Sequence, residues 1–116
     1  MNRKEHLLTI AAEECAEVAK ECSKSLRFGL DDKLTLDPEG PRGTEGLDNA
    51  HKLKQEFLQL TAVMGMLQSE GHVPVYTNKQ CMEIQNEKVD RVEAYLKYSL
   101  RVGCLTNTVE EGKTSN

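Results

Sequence analysis

Several features that would assign this chain to a specialised class are missing. It has no tryptophan, few other aromatic residues and no basic excess, since its formal net charge is -4. An acidic balance argues against general nucleic-acid binding, which depends on Lys and Arg neutralising phosphates. No apolar stretch approaches membrane-spanning length, and the apolar run near the start is too short and acidic for a signal peptide. We therefore expect a cytoplasmic protein with no nucleic-acid or membrane partner.

The four cysteines and three histidines do not form a metal-binding pattern. No CxxC pair is present and no His lies close to a Cys in sequence, which argues against a zinc site. Cys15 and Cys22 are seven residues apart on a predicted helix. We expect both to be small buried apolar residues. A glycine-rich phosphate loop of the Walker type is also missing.

The first helix is predicted over residues 4–28. Good helix formers fill this segment, and Gly29 is placed to cap its C-terminal end. Residues 30–47 carry two Pro and three Gly and are predicted to form a loop, either a functional lid or a tolerated surface insertion. The predicted apolar stripe of the first helix consists of Leu7, Ala11, Cys15, Val18, Cys22 and Leu26.

Two further helices are predicted downstream. The second covers residues 49–70, with Asp48 or Asn49 as its cap. The third begins at a capping box of Thr77 and Gln80 and runs to about residue 103, with Asn86 as a candidate interruption. Their apolar stripes are Leu53, Phe57, Leu60, Met64 and Leu67 in the second helix, and Ile84, Val89, Val92, Leu96 and Leu100 in the third.

These elements predict an all-α protein built as an antiparallel helical bundle. We expect one domain over residues 1–105, followed by a flexible polar tail at 106–116. Three helices with this much apolar surface would be poorly covered alone. A homodimer or homotetramer is therefore expected to complete the bundle.

The stretch AAEECAEVAKE, residues 11–21, places carboxylates beside a buried stripe. Glu14 lies one turn after Ile10 and one turn before Val18, so it belongs to the margin of the core. Glu14 and Glu17 are three apart, and their carboxylates can converge. Adjacent carboxylates repel and are costly to bury, and a hard cation such as Mg²⁺ removes both penalties. Alternatively, these acids are ordinary solvated helix residues.

The second helix repeats this spacing with Glu56 and Gln59, and three ordered motifs then carry a family resemblance. EECAE matches an EExxE signature, EFLQ at 56–59 stands where ExxD is usual, and NEKVDR at 86–91 is similar to NxKFxxR. Over about residues 7–100 the chain resembles the MazG-like, all-α nucleoside triphosphate pyrophosphohydrolases. The gap between the two acidic motifs is longer than in the usual pattern, and the excess falls in the 30–47 loop.

The resemblance implies Mg²⁺-dependent cleavage of a nucleoside triphosphate, with or without a 2′-hydroxyl, to the monophosphate and pyrophosphate. It implies catalytic and metal-binding roles for Glu14, Glu17 and Glu56, with Gln59 in the place of an aspartate ligand. Glu13 would lie behind the ligands or at a helix contact. The basic motif implies substrate contacts from Asn86, Lys88 and Arg91.

Basic residues near the acids are additional candidates for binding phosphate oxygens. Lys24 and Arg27 extend beyond Glu17 along the first helix, and Lys54 precedes Glu56. Alternatively, each of these three residues is an ordinary helix residue whose charge is exposed to water. Because Gln59 brings no charge, a catalytically silent nucleotide-binding relative is an alternative. A helical oligomerisation or adaptor module, with the acids as surface residues, is another.

Overall fold

The computed structural model describes residues 1–33 and 46–106, and within these residues it contains three α-helices and no strand. The predicted all-α class is confirmed. Most of the loop predicted over 30–47, and the tail predicted over 106–116 apart from Thr106, lie outside the described residues. The helices are α1 (Arg3–Phe28), α2 (Asn49–Ser69) and α3 (Asn78–Arg101).

The chain divides into two compact units. The first, Met1–Pro74, contains α1 and α2, and the second begins at Val75 and contains α3. Among the described residues, no helix is long and apolar enough to cross a membrane.

Both ends of α1 are capped as local chemistry requires. The Asn2 side chain accepts a hydrogen bond from the Glu5 N–H at 2.8 Å, which satisfies one of the free amides of the first turn. At the other end Gly29 adopts a φ of 98° and its N–H donates to the Ser25 carbonyl at 2.8 Å. A residue with a side chain is strained at such a φ, so glycine ends the helix here as predicted.

Polar contacts join α1 and α2 at both ends. Asn49 is fully buried, and its Nδ2 donates to the Gly29 carbonyl at 2.9 Å while its backbone N–H donates to the Asp32 carbonyl at 2.9 Å. At the opposite end the Arg3 guanidinium makes two 2.9 Å hydrogen bonds to the Glu70 carboxylate. The start of α1 therefore lies beside the end of α2, and the two helices are antiparallel.

The contact between α1 and α2 follows a spacing that alternates between four and three residues. This is the pattern of a coiled-coil seam, in which each helix turns the same narrow stripe towards its partner. We call this stripe the α1–α2 seam. Its residues, all buried or half-buried, are Leu7, Ala11, Glu14, Val18, Glu21 and Ser25 on α1, and Asn49, Leu53, Glu56, Leu60, Val63 and Leu67 on α2.

The apolar stripe predicted for α1 was wrong at three of its six residues. Cys15, Cys22 and Leu26 are exposed, Leu26 at 89%. Each of the three lies one position after a seam residue. Packing against α2 fixes which side of α1 is buried along its whole length, and that side continues through polar residues. The expectation that Cys15 and Cys22 are small buried residues was therefore also wrong. On α2, Phe57 and Met64 are likewise exposed.

The helix α3 begins at the predicted capping box. The Gln80 N–H donates to Thr77 Oγ1 at 3.1 Å, and the Thr77 N–H donates to Gln80 Oε1 at 2.9 Å. The helix continues through Asn86 without interruption. None of its residues is buried, and its apolar stripe is exposed at Ile84, Val89, Val92, Leu96 and Leu100.

The corrected register predicts unequal effects for two identical substitutions. Leu67 is 1% exposed and Leu26 is 89% exposed. Leu67→Ala should lower the free energy of unfolding by about 2–5 kcal/mol, because it removes buried apolar surface and leaves a cavity. Leu26→Ala, the matched control, should change it by less than about 0.5 kcal/mol. Urea unfolding followed by circular dichroism measures both, and similar losses would contradict the register.

Candidate functional site

The middle of the α1–α2 seam is acidic where a helical seam is ordinarily apolar. Glu14 and Glu21 come from α1 and Glu56 from α2. Glu21 is buried at 6% exposure, Glu14 and Glu56 are half-buried, and Glu17 is exposed. We call these four residues the carboxylate cluster. It lies entirely within the first unit of the chain.

The carboxylates of the cluster act on one another electrostatically. Partial burial raises the pKa of Glu56 above its ordinary value, and repulsion from Glu14, Glu17 and Glu21 raises it further. The ammonium of Lys20 acts in the opposite direction. A carboxyl group whose ionised form is disfavoured by burial and by like charges is stabilised by any added cation.

Two oxygens of the cluster are buried and have no hydrogen-bond partner among the described residues. They are Oε2 of Glu14 and Oε2 of Glu21. An ionised carboxylate only accepts hydrogen bonds, so a buried oxygen of this kind requires a donor or a cation. Oε1 of Glu21 has such a partner, since it lies 2.9 Å from Nζ of Lys24.

The donor set of the cluster suits a hard divalent cation. All its donors are carboxylate oxygens, which Mg²⁺ prefers over nitrogen and sulfur, and the two buried unpaired oxygens add to the fit. Among the described residues, however, no three acidic, His or Cys side chains surround one point as a bound metal would require. Like charges favour separation in the free chain, so the flexible glutamates would have to converge when a cation binds.

The predicted acidic residues are partly brought together. Glu14 and Glu17 both act electrostatically on Glu56. Their shared role as metal ligands stays a prediction. Gln59 is exposed, one helical turn beyond Glu56. Glu13, although next to Glu14 in sequence, is exposed on a different side of α1.

The predicted basic residues divide into three groups. Lys24 pairs with Glu21 and therefore touches the cluster. Arg27 and Lys54 are exposed, with their charges 4.9 Å and 5.5 Å from the ring centres of neighbouring phenylalanines. A third group, exposed on α3 in the second unit, consists of Asn86, Lys88 and Arg91.

Sequence reasoning did not select Glu21 as a site residue. The available signal was its spacing, because Glu21 follows Glu14 by seven residues and so returns to the same position of a helical seam. An apolar stripe drawn through Cys22 concealed this spacing. The structure makes Glu21 the most buried acid of the cluster.

Comparison of the chain with protein-family models, with curated proteins and with solved structures finds no match. The family resemblance of its three motifs therefore stays a prediction.

Mutual repulsion in the cluster predicts that removing one charge stabilises the cation-free protein. Glu56→Gln keeps the shape of the side chain and removes its charge, so we expect a higher melting temperature in EDTA. The gain should be about 4 °C or less, because water screens a half-buried charge and about 1 kcal/mol moves a domain of this size by roughly 4–8 °C.

Glu13→Gln is the matched control for this change. It removes one carboxylate from an exposed position on α1 and should leave the melting temperature nearly unchanged. Thermal unfolding followed by circular dichroism in EDTA measures both variants. Destabilisation by Glu56→Gln would show that its carboxylate makes favourable contacts in the cation-free seam.

Proposed function

We propose that the chain is a Mg²⁺-dependent nucleoside triphosphate pyrophosphohydrolase, which converts a nucleoside triphosphate, with or without the 2′-hydroxyl, to its monophosphate and pyrophosphate. The observation that carries the proposal is the burial of unpaired Glu14 and Glu21 oxygens in a seam that they share with Glu56. The three ordered sequence motifs supply the reaction class by resemblance. A cytoplasmic location belongs to the same proposal.

The carboxylates alone would repel a triphosphate, so the proposal requires a cation between them. In this proposal Glu14, Glu17 and Glu56 hold Mg²⁺, and the Gln59 amide oxygen is available to it or to one of its waters. The bound cation would neutralise phosphate oxygens and lower the pKa of a coordinated water.

The residues of the chain then have separate tasks in the hydrolysis. A glutamate not fully engaged as a ligand accepts the proton of the attacking water. The water oxygen bonds to the α-phosphorus, and the bond from that phosphorus to the bridging oxygen breaks. Basic side chains stabilise the charge that grows on the departing pyrophosphate. Within the first unit the candidates for this task are Lys24, Arg27 and Lys54. In the second unit, Asn86, Lys88 and Arg91 are candidates for substrate contact through the resemblance of their motif alone.

An antiparallel bundle completed by a second or further copies of the chain belongs to the same proposal. It is supported by the antiparallel α1–α2 pair and by the apolar stripe of α3, which is exposed. Large exposed apolar surfaces mark interaction sites in soluble proteins. We propose a homodimer or a homotetramer.

Pyrophosphate release from a panel of ribonucleotides and deoxynucleotides, with and without Mg²⁺, tests the reaction. We expect turnover only with Mg²⁺, and a loss of about 100-fold in Glu14→Gln, the scale of removing one preorganised electrostatic partner. Glu5→Gln, a change in the first turn of α1, is the control and should retain activity. No turnover of any nucleotide by the parent protein would refute the enzymatic proposal.

The missing charge at Gln59 favours a second candidate, a catalytically silent relative that binds nucleotide. Titration calorimetry that detects binding without turnover would support it. A third candidate, the adaptor module, predicts that neither Mg²⁺ nor nucleotide changes the melting temperature, since a ligand of the native state must stabilise that state.

The substitution Gln59→Asp tests whether Gln59 fills the place of an aspartate ligand. It adds a carboxylate one turn beyond Glu56, so Mg²⁺ affinity or turnover should rise by about tenfold, equivalent to about 1.4 kcal/mol. Because Gln59 is exposed, the melting temperature in EDTA should change little. A loss of folding would instead identify Gln59 as a packing residue.

A further inference from the structure

The most buried charge of the carboxylate cluster, Glu21, points to a role that the sequence motifs do not assign. We propose that Glu21 is an additional ligand of the cation and that Lys24 is its internal counter-ion, which the cation displaces. This inference rests on the Mg²⁺ site of the proposed function. It concerns which residues hold the cation and is independent of the reaction that follows.

The two oxygens of Glu21 have different environments. Oε1 lies 2.9 Å from the Lys24 ammonium, whereas Oε2 is buried and has no hydrogen-bond partner in the described part of the chain. The Glu21 side chain is 8% exposed. A carboxylate this deeply buried is costly unless its charge and its lone pairs are compensated. Lys24 compensates one oxygen only, so the site has capacity for a further cation.

The position of Glu21 directs that capacity towards the cluster. Seven residues separate it from Glu14, which places both on the seam side of α1. Its charge also acts on Glu56 across the seam and raises the pKa of that carboxyl group. Glu21 is therefore within electrostatic range of Glu56, the acid that α2 contributes to the cluster.

The Lys24 side chain is suited to leave when a cation arrives. Its side chain is 21% exposed, so part of it already contacts water, and its four-carbon stem is flexible. On displacement Glu21 exchanges a monovalent ammonium for a divalent cation. The ammonium becomes hydrated, and no covalent bond changes.

Lys20 provides a matched control for charge effects. It lies four residues before Lys24, is exposed, and acts on Glu56 through space. Removing either lysine takes one positive charge from the neighbourhood of the cluster. Only Lys24 also occupies an oxygen of Glu21, so any additional effect of Lys24→Met reports the ion pair itself.

Binding of Mn²⁺ to the full chain, measured by electron paramagnetic resonance without nucleotide, tests the proposal. Competition by Mg²⁺ confirms that both ions use one site. We expect Glu21→Gln to weaken Mn²⁺ binding by about tenfold or more, equivalent to at least about 1.4 kcal/mol. Lys24→Met should tighten it, by more than Lys20→Met does. In the Glu21→Gln background, Lys24→Met and Lys20→Met should no longer differ.

Several results would overturn the inference. If Glu21→Gln binds Mn²⁺ as the parent and Glu13→Gln do, Glu21 is not a ligand. If Lys24→Met and Lys20→Met have equal effects, the cation does not displace Lys24. Should Glu21→Gln fail to fold in EDTA, Glu21→Asp keeps the charge with a shorter reach, and unchanged Mn²⁺ affinity in that variant would overturn the ligand role.

Failure of the inference is distinguishable from failure of the proposed function. If the protein turns over nucleotide but Glu21→Gln does not change Mn²⁺ affinity, the inference is overturned and the enzymatic proposal stands. Mn²⁺ binding that depends on Glu21, without turnover of any nucleotide, supports the inference and removes the enzymatic proposal. A parent chain that binds no Mn²⁺ overturns both.

Discussion

Repulsion between carboxylates in the α1–α2 seam is the constraint on which the functional reading of this protein depends. A helical pair normally fills such a seam with apolar side chains, because burial of apolar surface drives the packing. Here Glu14, Glu21 and Glu56 occupy seam positions. Two of their oxygens are buried and have no hydrogen-bond partner among the described residues. These acids lower the stability of the seam, and such locally unfavourable residues are common at functional sites.

Contacts at the two ends of the seam offset the stability that carboxylate repulsion removes in its middle. At one end, Leu7 and Leu67 are buried near the ion pair of Arg3 and Glu70. At the other end, the Asn49 side chain donates a hydrogen bond to Gly29, just after the last residue of α1. The acids lie between these two anchored ends. The packed ends therefore keep α1 and α2 together although the carboxylates between them repel one another.

Sequence reasoning succeeded where local chemistry decides the outcome. The caps at Gly29 and at Thr77–Gln80 depend on a few neighbouring residues, and both were predicted correctly. Glu14 and Glu17 also act electrostatically on Glu56, which needs only that the two helices pack together. Their shared role as metal ligands stays a prediction. The predicted buried side of α1 was partly wrong because Cys15, Cys22 and Leu26 form an apolar pattern one position after the seam residues.

By itself the sequence determined the helical class, the approximate ends of three helices and the acidic residues that two of the helices carry. The class and the helix ends follow from helix propensity and capping residues. Only the tertiary structure decided that Glu21 is buried, that Lys24 is its partner and that the cysteines are exposed. The physical reason is that contact with α2 selects one side of α1, and several sides of α1 carry enough small or apolar residues to compete for that contact.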